Sequence, residues 1–222
     1  MNFVLLSILS FLLSSIHAQQ SANEKGKLPN EFFLQFLEQK YNYQTDDFLI
    51  LVSVKEQKLF LYKNKELLES YVISTSKYGI GQAAGSYKTP LGAHIIKSKI
   101  GDGAASGSVF RGRVFTGKIA DVVHEAVATD DDFVTTRILW LQGLSKGFNQ
   151  GDGIDSYKRY IYIHGTHEEG LLGKKASHGC VRMSNKEVIE LYNKVPEGTF
   201  VYILDAENRP APVDDINLKV FK

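Results

Sequence analysis

The chain has 222 residues, a formal net charge of +1, 43% hydrophobic residues and 23% charged residues. These values are normal for a globular protein, and the balanced charge favours neither nucleic acid nor an anionic membrane surface as a partner. After removal of any leader, the length fits one ordinary domain, which we expect to be a single catalytic unit.

An apolar run from Phe3 to Ile16 is followed by His17 and Ala18. This run is too short to span a bilayer comfortably, and a small residue at its end is typical of signal-peptide cleavage. We therefore predict a signal peptide over residues 1–18, export to the periplasm or cell envelope, and no integral membrane domain after cleavage. Because only the terminal amine supplies positive charge before the run, an uncleaved anchor is the alternative.

Residues 19–47 are predicted to form an N-terminal extension that contains an amphipathic helix. Between Leu28 and Tyr41, aromatic and aliphatic residues recur at helical spacing after Pro29 and Asn30, which act as start signals. Short polar links then join three β-rich runs, a pattern that predicts an antiparallel meander. The three runs are residues 48–54, 58–62 and 67–75.

The glycine-rich segment 98–134 interrupts this strand pattern. A loop of this length in a compact domain is usually a lid or a binding element, so we predict a lid insertion here. The segment carries Arg111, Arg113 and an acidic cluster at residues 130–132. We also expect a short helix near residues 121–127.

Two further elements surround the candidate catalytic residues. A strand of alternating aromatic and β-branched residues begins at Tyr160 and ends at His164 and Gly165. Later in the chain, Ser184 and Glu187 form a capping-box pattern that predicts a helix.

A last predicted strand at residues 199–204 completes the domain, whose expected bounds are 48–204. The remaining residues, 205–222, are expected to be a loosely attached tail. The prevalence of strands, with only a few helices, indicates a β-rich α+β fold.

Cys180 is the only cysteine of the chain and directly follows Ser177, His178 and Gly179. Exported proteins usually use cysteines in disulfide pairs, so a single thiol in this setting indicates a reactive residue. We predict that Cys180 is a nucleophile whose proton is handled by His164. An imidazolium from His164 or His178, or oriented backbone N–H groups, would lower the thiol pKa from its ordinary value of ~8.5. The alternative is a buried structural cysteine.

Two further groups beside the nucleophile are candidates for contact with a substrate. The N–H groups of Gly179 and Cys180 could point at an oxyanion, where one lost donor typically costs roughly 3 kcal/mol. Arg182 could hold a substrate carboxylate through a bidentate contact, or it could brace the loop through backbone carbonyls.

A zinc site is the competing interpretation, because His164, His167, His178 and Cys180 supply suitable ligand atoms. This set contains one thiolate, has no acidic general base at a signature position, and lacks the glutamate of a zincin helix. We therefore expect neither a metal nor another cofactor. His167 and the two glutamates that follow it are expected in a solvated loop beside the site.

These residues resemble the L,D-transpeptidase (YkuD-type) catalytic domain of bacterial cell-wall enzymes. The matching motifs are Ile163-His164-Gly165, the sequence ASHGCVRM at residues 176–183, and KTPLG at residues 88–92. The similarity extends from about residue 48 to residue 204. The cysteine motif with a histidine sixteen residues before the cysteine is a specific signal.

The resemblance implies a β-sandwich or barrel with a few flanking helices, acting on peptidoglycan stem peptides. Cys180 would attack the carbonyl of diaminopimelate at the third residue of a stem tetrapeptide and expel the terminal D-alanine, leaving a thioester. The acyl acceptor would be a second diaminopimelate, giving a 3–3 cross-link, a lysine of a wall-anchored lipoprotein, or a free D-amino acid. By analogy, a main-chain carbonyl near Gly165 holds His164 as base and later acid. The residues expected to shape the oxyanion site are Gly165, Ser177, His178 and Gly179.

Two other functions remain open from the sequence. Hydrolysis of the same thioester would give an L,D-carboxypeptidase or amidase, and loss of catalysis would leave a cell-wall-binding protein. For the transferase, we expect Arg111 and Arg113 of the lid to attract stem-peptide carboxylates, with Arg182 as a further candidate for substrate binding.

Overall fold

The computed structural model describes residue 29 and residues 31–205. This part of the chain contains the helices α1 (Glu31–Tyr41) and α2 (Asn185–Lys194) and a short 3-10 helix, Glu169–Leu171. Its strands are β1 (Phe48–Ser53), β2 (Lys58–Lys63), β3 (Glu66–Val72), β4 (Gly92–Ile100), β5 (Ser108–Arg111), β6 (Val114–Ile119), β7 (Val134–Gly143), β8 (Tyr162–Gly165), β9 (Val181–Met183) and β10 (Phe200–Leu204).

Among the described residues, no helix has the length and apolar character needed to cross a bilayer. The predicted signal peptide, residues 1–18, lies outside the described residues. The predicted tail also lies outside them, except for its first residue, Asp205.

A single sheet curls back on itself to form a closed, barrel-like layer. The strand order is β3-β2-β1-β10-β4-β7-β5-β6, while β8 pairs with β7 and β9 pairs with β8. Ser74, just after β3, donates its N–H to the Arg182 carbonyl at 2.9 Å and accepts the Arg182 N–H at 2.8 Å. These bonds join the β3 side of the sheet to β9. The closed sheet and its two helices confirm the predicted β-rich α+β fold.

The inward-facing side chains of the sheet form the main hydrophobic core. Each strand directs alternate residues to opposite faces, and the inward positions are aliphatic. Ile50, Val52, Leu139, Leu141 and Ile163 are all fully buried there. Burial of each such side chain contributes roughly 1.5–3 kcal/mol relative to exposure. Because Ile163 anchors β8 in the core, the next residue, His164, is directed to the opposite face of the sheet.

Helix α2 begins directly after the cysteine motif, as the capping-box pattern predicts. The Ser184 hydroxyl accepts the Glu187 N–H at 3.2 Å and donates to the Glu187 carboxylate at 2.7 Å. This cap satisfies a backbone donor that would otherwise lack a partner at the helix start. Val188 and Leu191 are fully buried in the core. The helix therefore fixes the end of the segment that carries Cys180.

Helix α1 packs on the outer face of the sheet. It begins at Glu31, shortly after the predicted start signals, and buries Leu34 and Leu37. Phe33 meets Tyr202 of β10 edge to face, with ring centroids 5.1 Å apart. The helix thus covers an apolar outer surface that the strands alone would leave exposed.

The segment 98–134 differs from the predicted irregular lid. It contains the end of β4 and the hairpin β5–β6, and β5 pairs with the start of β7. Val109 and Phe110 of β5 are buried, which explains why the hairpin folds against the sheet.

The helix predicted near residues 121–127 does not form. Instead, residues 120–133, here called the arm, form an irregular segment with bends at residues 125, 126 and 130. The Val123 N–H donates to the His167 carbonyl at 2.7 Å, and the Gly170 N–H donates to the Val123 carbonyl at 3.0 Å. Because the backbone groups of the arm bond to the segment after β8, helical hydrogen bonds within the arm are not needed.

Candidate active site

His164 lies on β8, and Cys180 directly precedes the neighbouring parallel strand β9. In the register of β8 and β9, His164 is opposite Arg182 and Ile163 is opposite Val181. Alternation along an extended chain places Cys180 on the same face as Arg182, two residues later, and hence on the face of His164. This face is the one opposite to the main core. Cys180 packs there against a smaller apolar cluster of Phe110, Ile138, Trp140 and Tyr162.

The Cys180 thiol has hydrogen-bond partners in the backbone of the strand before it. Its sulfur accepts the Tyr162 N–H at 3.4 Å, and the thiol donates to the Tyr160 carbonyl at 3.4 Å. Cys180 is partly accessible to solvent. Crowding by the surrounding protein atoms nevertheless raises the pKa of the thiol to about 12, against a weaker opposing effect of the Tyr162 N–H.

The pKa of His164 is lowered to about 4 because the ring is buried, which outweighs the Asp132 charge and the Gly165 carbonyl. His164 is therefore neutral at pH 7. Its Nδ1 lies 2.7 Å from the Gly165 carbonyl, so Nδ1 carries the proton and Nε2 is the free acceptor. Burial therefore raises the pKa of the thiol, and a neutral His164 does not act on it as an imidazolium. The resting site holds a neutral thiol and a neutral imidazole.

Ser177 stabilises the turn that precedes Cys180. Its hydroxyl donates to the Cys180 carbonyl at 2.7 Å and accepts the Gly179 N–H at 3.2 Å. The Gly179 amide, expected to point at an oxyanion, is therefore already engaged with Ser177. Gly165 is required for a different reason, since an added Cβ would lie 2.8 Å from the Asn185 side-chain oxygen.

Two carboxylates surround Arg182, which is only 1% exposed. Glu168 lies 2.7 Å from Nη1, and Asp132 of the arm lies 2.7 Å from Nη2. The same Asp132 carboxylate accepts a hydrogen bond from His178 Nδ1 at 2.6 Å. Burial acts to raise the pKa of Asp132, but the charge of Arg182, the charge that His164 carries once protonated, and the hydrogen bonds to His178 and Arg182 hold it below its usual value. This arrangement favours the bracing role of Arg182 over contact with a substrate.

His167 and Glu168 were expected in a solvated loop. The structure instead buries both beneath the arm. The Thr129 N–H and hydroxyl donate to Glu168 Oε1 at 2.5 and 2.9 Å. Thr129 Oγ1 also lies 2.8 Å from His167 Nε2. The four residues considered as zinc ligands thus contact different partners. His164 contacts the Gly165 carbonyl, His167 contacts Thr129, and His178 contacts Asp132. Cys180 contacts the backbone of Tyr160 and Tyr162.

The turn of the β5–β6 hairpin reaches the aromatic residues beside Cys180. The Arg113 guanidinium lies 4.3 Å from the Trp140 ring centroid and 5.1 Å from that of Tyr160. Its Nη1 donates to the Tyr162 hydroxyl at 3.3 Å. Arg111, on the same hairpin, is exposed to solvent. Arg113 therefore contacts the site directly, whereas Arg111 faces the solvent.

Asp132, Glu168 and Trp140 were not identified from the sequence. The only sequence signal for Asp132 is its position in the acidic cluster of a glycine-rich segment. No local pattern indicates that this segment returns to the cysteine motif.

A family model described as the L,D-transpeptidase catalytic domain matches residues 47–203. The Bacillus subtilis protein named "Putative L,D-transpeptidase YkuD" is 52% identical over 46 residues, which are 21% of this chain and 28% of that protein. The Escherichia coli K12 protein "Probable L,D-transpeptidase YbiS" is 45% identical over 47 residues, 21% of this chain and 15% of that protein.

An L,D-transpeptidase from Mycobacterium smegmatis aligns with a TM-score of 0.43 and 15% identity, covering 71% of this chain and 58% of that one. The matched segments span less than a third of the two curated relatives named above. Since the family model covers most of the chain, this protein belongs to the L,D-transpeptidase (YkuD) catalytic-domain family.

Proposed function

We propose that the protein is a peptidoglycan L,D-transpeptidase with Cys180 as nucleophile and His164 as proton acceptor and donor. The observation that supports the proposal is the register of β8 and β9, in which His164 lies opposite Arg182, two residues after Cys180. The partly accessible thiol and the free Nε2 of a neutral imidazole are the groups that general-base activation of a nucleophile requires.

In the first half-reaction, His164 Nε2 takes the thiol proton as Cys180 sulfur attacks the carbonyl of the third stem residue. The resulting tetrahedral oxyanion collapses, and the bond to the terminal D-alanine breaks. The His164 imidazolium returns its proton to the leaving amine, which leaves a thioester and a neutral imidazole. Transient formation of the thiolate fits a buried site in which neither group is charged at rest.

In the second half-reaction, an acceptor amine attacks the thioester and loses a proton to His164. The thiolate departs and recovers that proton, so a new amide forms and the enzyme returns to its starting state. The acceptor is a second diaminopimelate, a lipoprotein lysine or a free D-amino acid. The setting of this reaction is the periplasm or cell envelope.

The remaining site residues shape the approach of the substrate. Ser177, Gly179 and His178 fix the turn before the nucleophile, and Gly165 leaves space at the end of β8. Arg113 and the exposed Arg111 attract the carboxylates of the stem peptide. Reversal of both charges should raise the Michaelis constant, and an unchanged value would remove the two arginines from substrate binding.

Mass spectrometry of muropeptides incubated with the purified protein tests the proposed function. Dimers with 3–3 cross-links are expected, with Cys180→Ala as the inactive control. Tripeptide alone would identify a hydrolase that uses the same thioester. Unchanged muropeptides, together with retained binding to peptidoglycan, would instead identify a cell-wall-binding protein.

A further inference from the structure

Two exposed tyrosine rings flank His178, two residues before the nucleophile. Tyr78 is 47% exposed and Tyr87 is 58% exposed. Their ring centroids are 5.8 Å apart, and they lie 5.7 and 5.9 Å from the His178 ring, respectively. Scattered exposed apolar residues need no explanation, but two large rings grouped beside a reactive residue indicate a binding surface.

The tyrosine pair is held in place by the surrounding backbone. Tyr87 has a φ of +56°, a left-handed conformation that is unfavourable for a bulky residue and occurs at ligand-binding positions. The Ser76 hydroxyl donates to the Tyr87 carbonyl at 2.5 Å and accepts the Tyr78 N–H at 3.0 Å. Arg159 Nη2 donates to the carbonyl of Lys88 at 2.6 Å. The backbone that carries the rings is thus fixed before a ligand binds, which lowers the entropy lost on binding.

The charges around the pair disfavour a cationic ligand. Lys77 Nζ already lies 5.4 Å from the centroid of the Tyr78 ring. Tyr87 and His178 border a cavity of about 240 Å³ whose other lining residues include Lys158 and Arg159. The acid of this cavity, Asp155, accepts backbone N–H groups of its own loop, and Asp132 beside His178 is already paired with Arg182. An ammonium group would meet several like charges here, whereas a neutral ring attached to an anionic chain would not.

We propose that Tyr78 and Tyr87 bind a sugar ring of the glycan strand that carries the stem peptide, an inference that rests on the proposed function. One face of a pyranose ring presents only C–H groups, which pack on aromatic faces, while its hydroxyls remain in water. Three stem residues separate the sugar from the attacked carbonyl, a span of at most about 11 Å when extended. The rings lie beside His178, two positions before Cys180, so a sugar stacked on them is within reach of a peptide bound at the thiol.

Binding to a Cys180→Ala protein tests this proposal without turnover. The probes are a muramyl disaccharide-tetrapeptide and the free tetrapeptide of identical sequence, titrated by calorimetry. The disaccharide should improve affinity by about tenfold in the Cys180→Ala protein, and Tyr78→Ala with Tyr87→Ala should abolish that difference. The matched double variant Tyr78→Phe with Tyr87→Phe keeps both rings and should retain it.

Equal affinity for the two probes in the Cys180→Ala protein would overturn the proposal. An equal loss for both probes in the alanine variant would also overturn it, because the rings would then act on the peptide. Turnover assays on the protein with intact Cys180 distinguish this result from failure of the proposed function. A protein that binds the disaccharide preferentially but releases no D-alanine would keep the sugar site and lose the transpeptidase proposal.

Discussion

The protonation state of Cys180 can be tested by varying the pH of a thiol alkylation reaction. The thiol pKa of about 12, raised by burial from 9.0, means that only about one molecule in 10⁵ holds a thiolate at pH 7. An unperturbed thiol with a pKa of 9.0 would hold about a thousand times more thiolate. The more basic thiolate is also intrinsically more nucleophilic, which reduces the resulting difference in rate by a factor of roughly twenty. We therefore expect alkylation roughly fiftyfold slower than that of an ordinary thiol.

The assay measures the rate of iodoacetamide labelling between pH 6 and pH 10. Cys180 is the only cysteine of the chain, so every label reports on this site. The rate should rise about tenfold per pH unit without a plateau. The same chain unfolded in urea is the control and should level off above its ordinary thiol pKa. A fast, pH-independent rate between pH 5 and pH 8 would indicate a resting thiolate-imidazolium pair and would refute this account of the site.

Three further predictions concern stability. Glu168→Gln should lower the free energy of urea unfolding by about 3–5 kcal/mol because it leaves the buried charge of Arg182 with one fewer charged partner. Asp132→Asn should lower it less, because Asp132 is the more exposed partner. The reverse order would contradict the bracing role of Arg182. The buried His94 has a pKa lowered to about 4 by desolvation, so the unfolded chain binds its proton first and stability falls between pH 6.5 and pH 4 as the pH drops. His94→Gln should remove about 2 kcal/mol of the wild-type loss between pH 7 and pH 5, and an unchanged slope would be the opposing result. Gly170→Ala places a Cβ against the backbone of the arm, so it should speed hydrogen exchange of the arm, and unchanged exchange would show that the arm does not depend on this contact.

Those parts of the site that depend on local patterns were predictable from the sequence. The cap made by Ser184 and Glu187 and the alternation that ends at His164 are each visible within a few residues. The fold class follows from the same patterns, since successive short strands require little information about distant partners.

The arm could not be predicted because its structure depends on distant parts of the chain. Asp132 meets His178 across 46 positions, and Thr129 meets Glu168 across 39. No composition rule indicates that this acidic segment will lie over a buried arginine instead of forming a helix. The raised pKa of the thiol could not be predicted for the same reason, since it depends on how closely the hairpin and β8 enclose Cys180.

Intact-mass spectrometry during turnover tests the central claim most directly. The protein is mixed with a stem tetrapeptide, quenched in acid within the first turnovers, and mapped by peptide digestion. We expect a mass increase equal to the tripeptide acyl group on Cys180, with release of one D-alanine per adduct. Release of D-alanine by the Cys180→Ala protein, or by wild type with no adduct at any time, would contradict covalent catalysis at this residue.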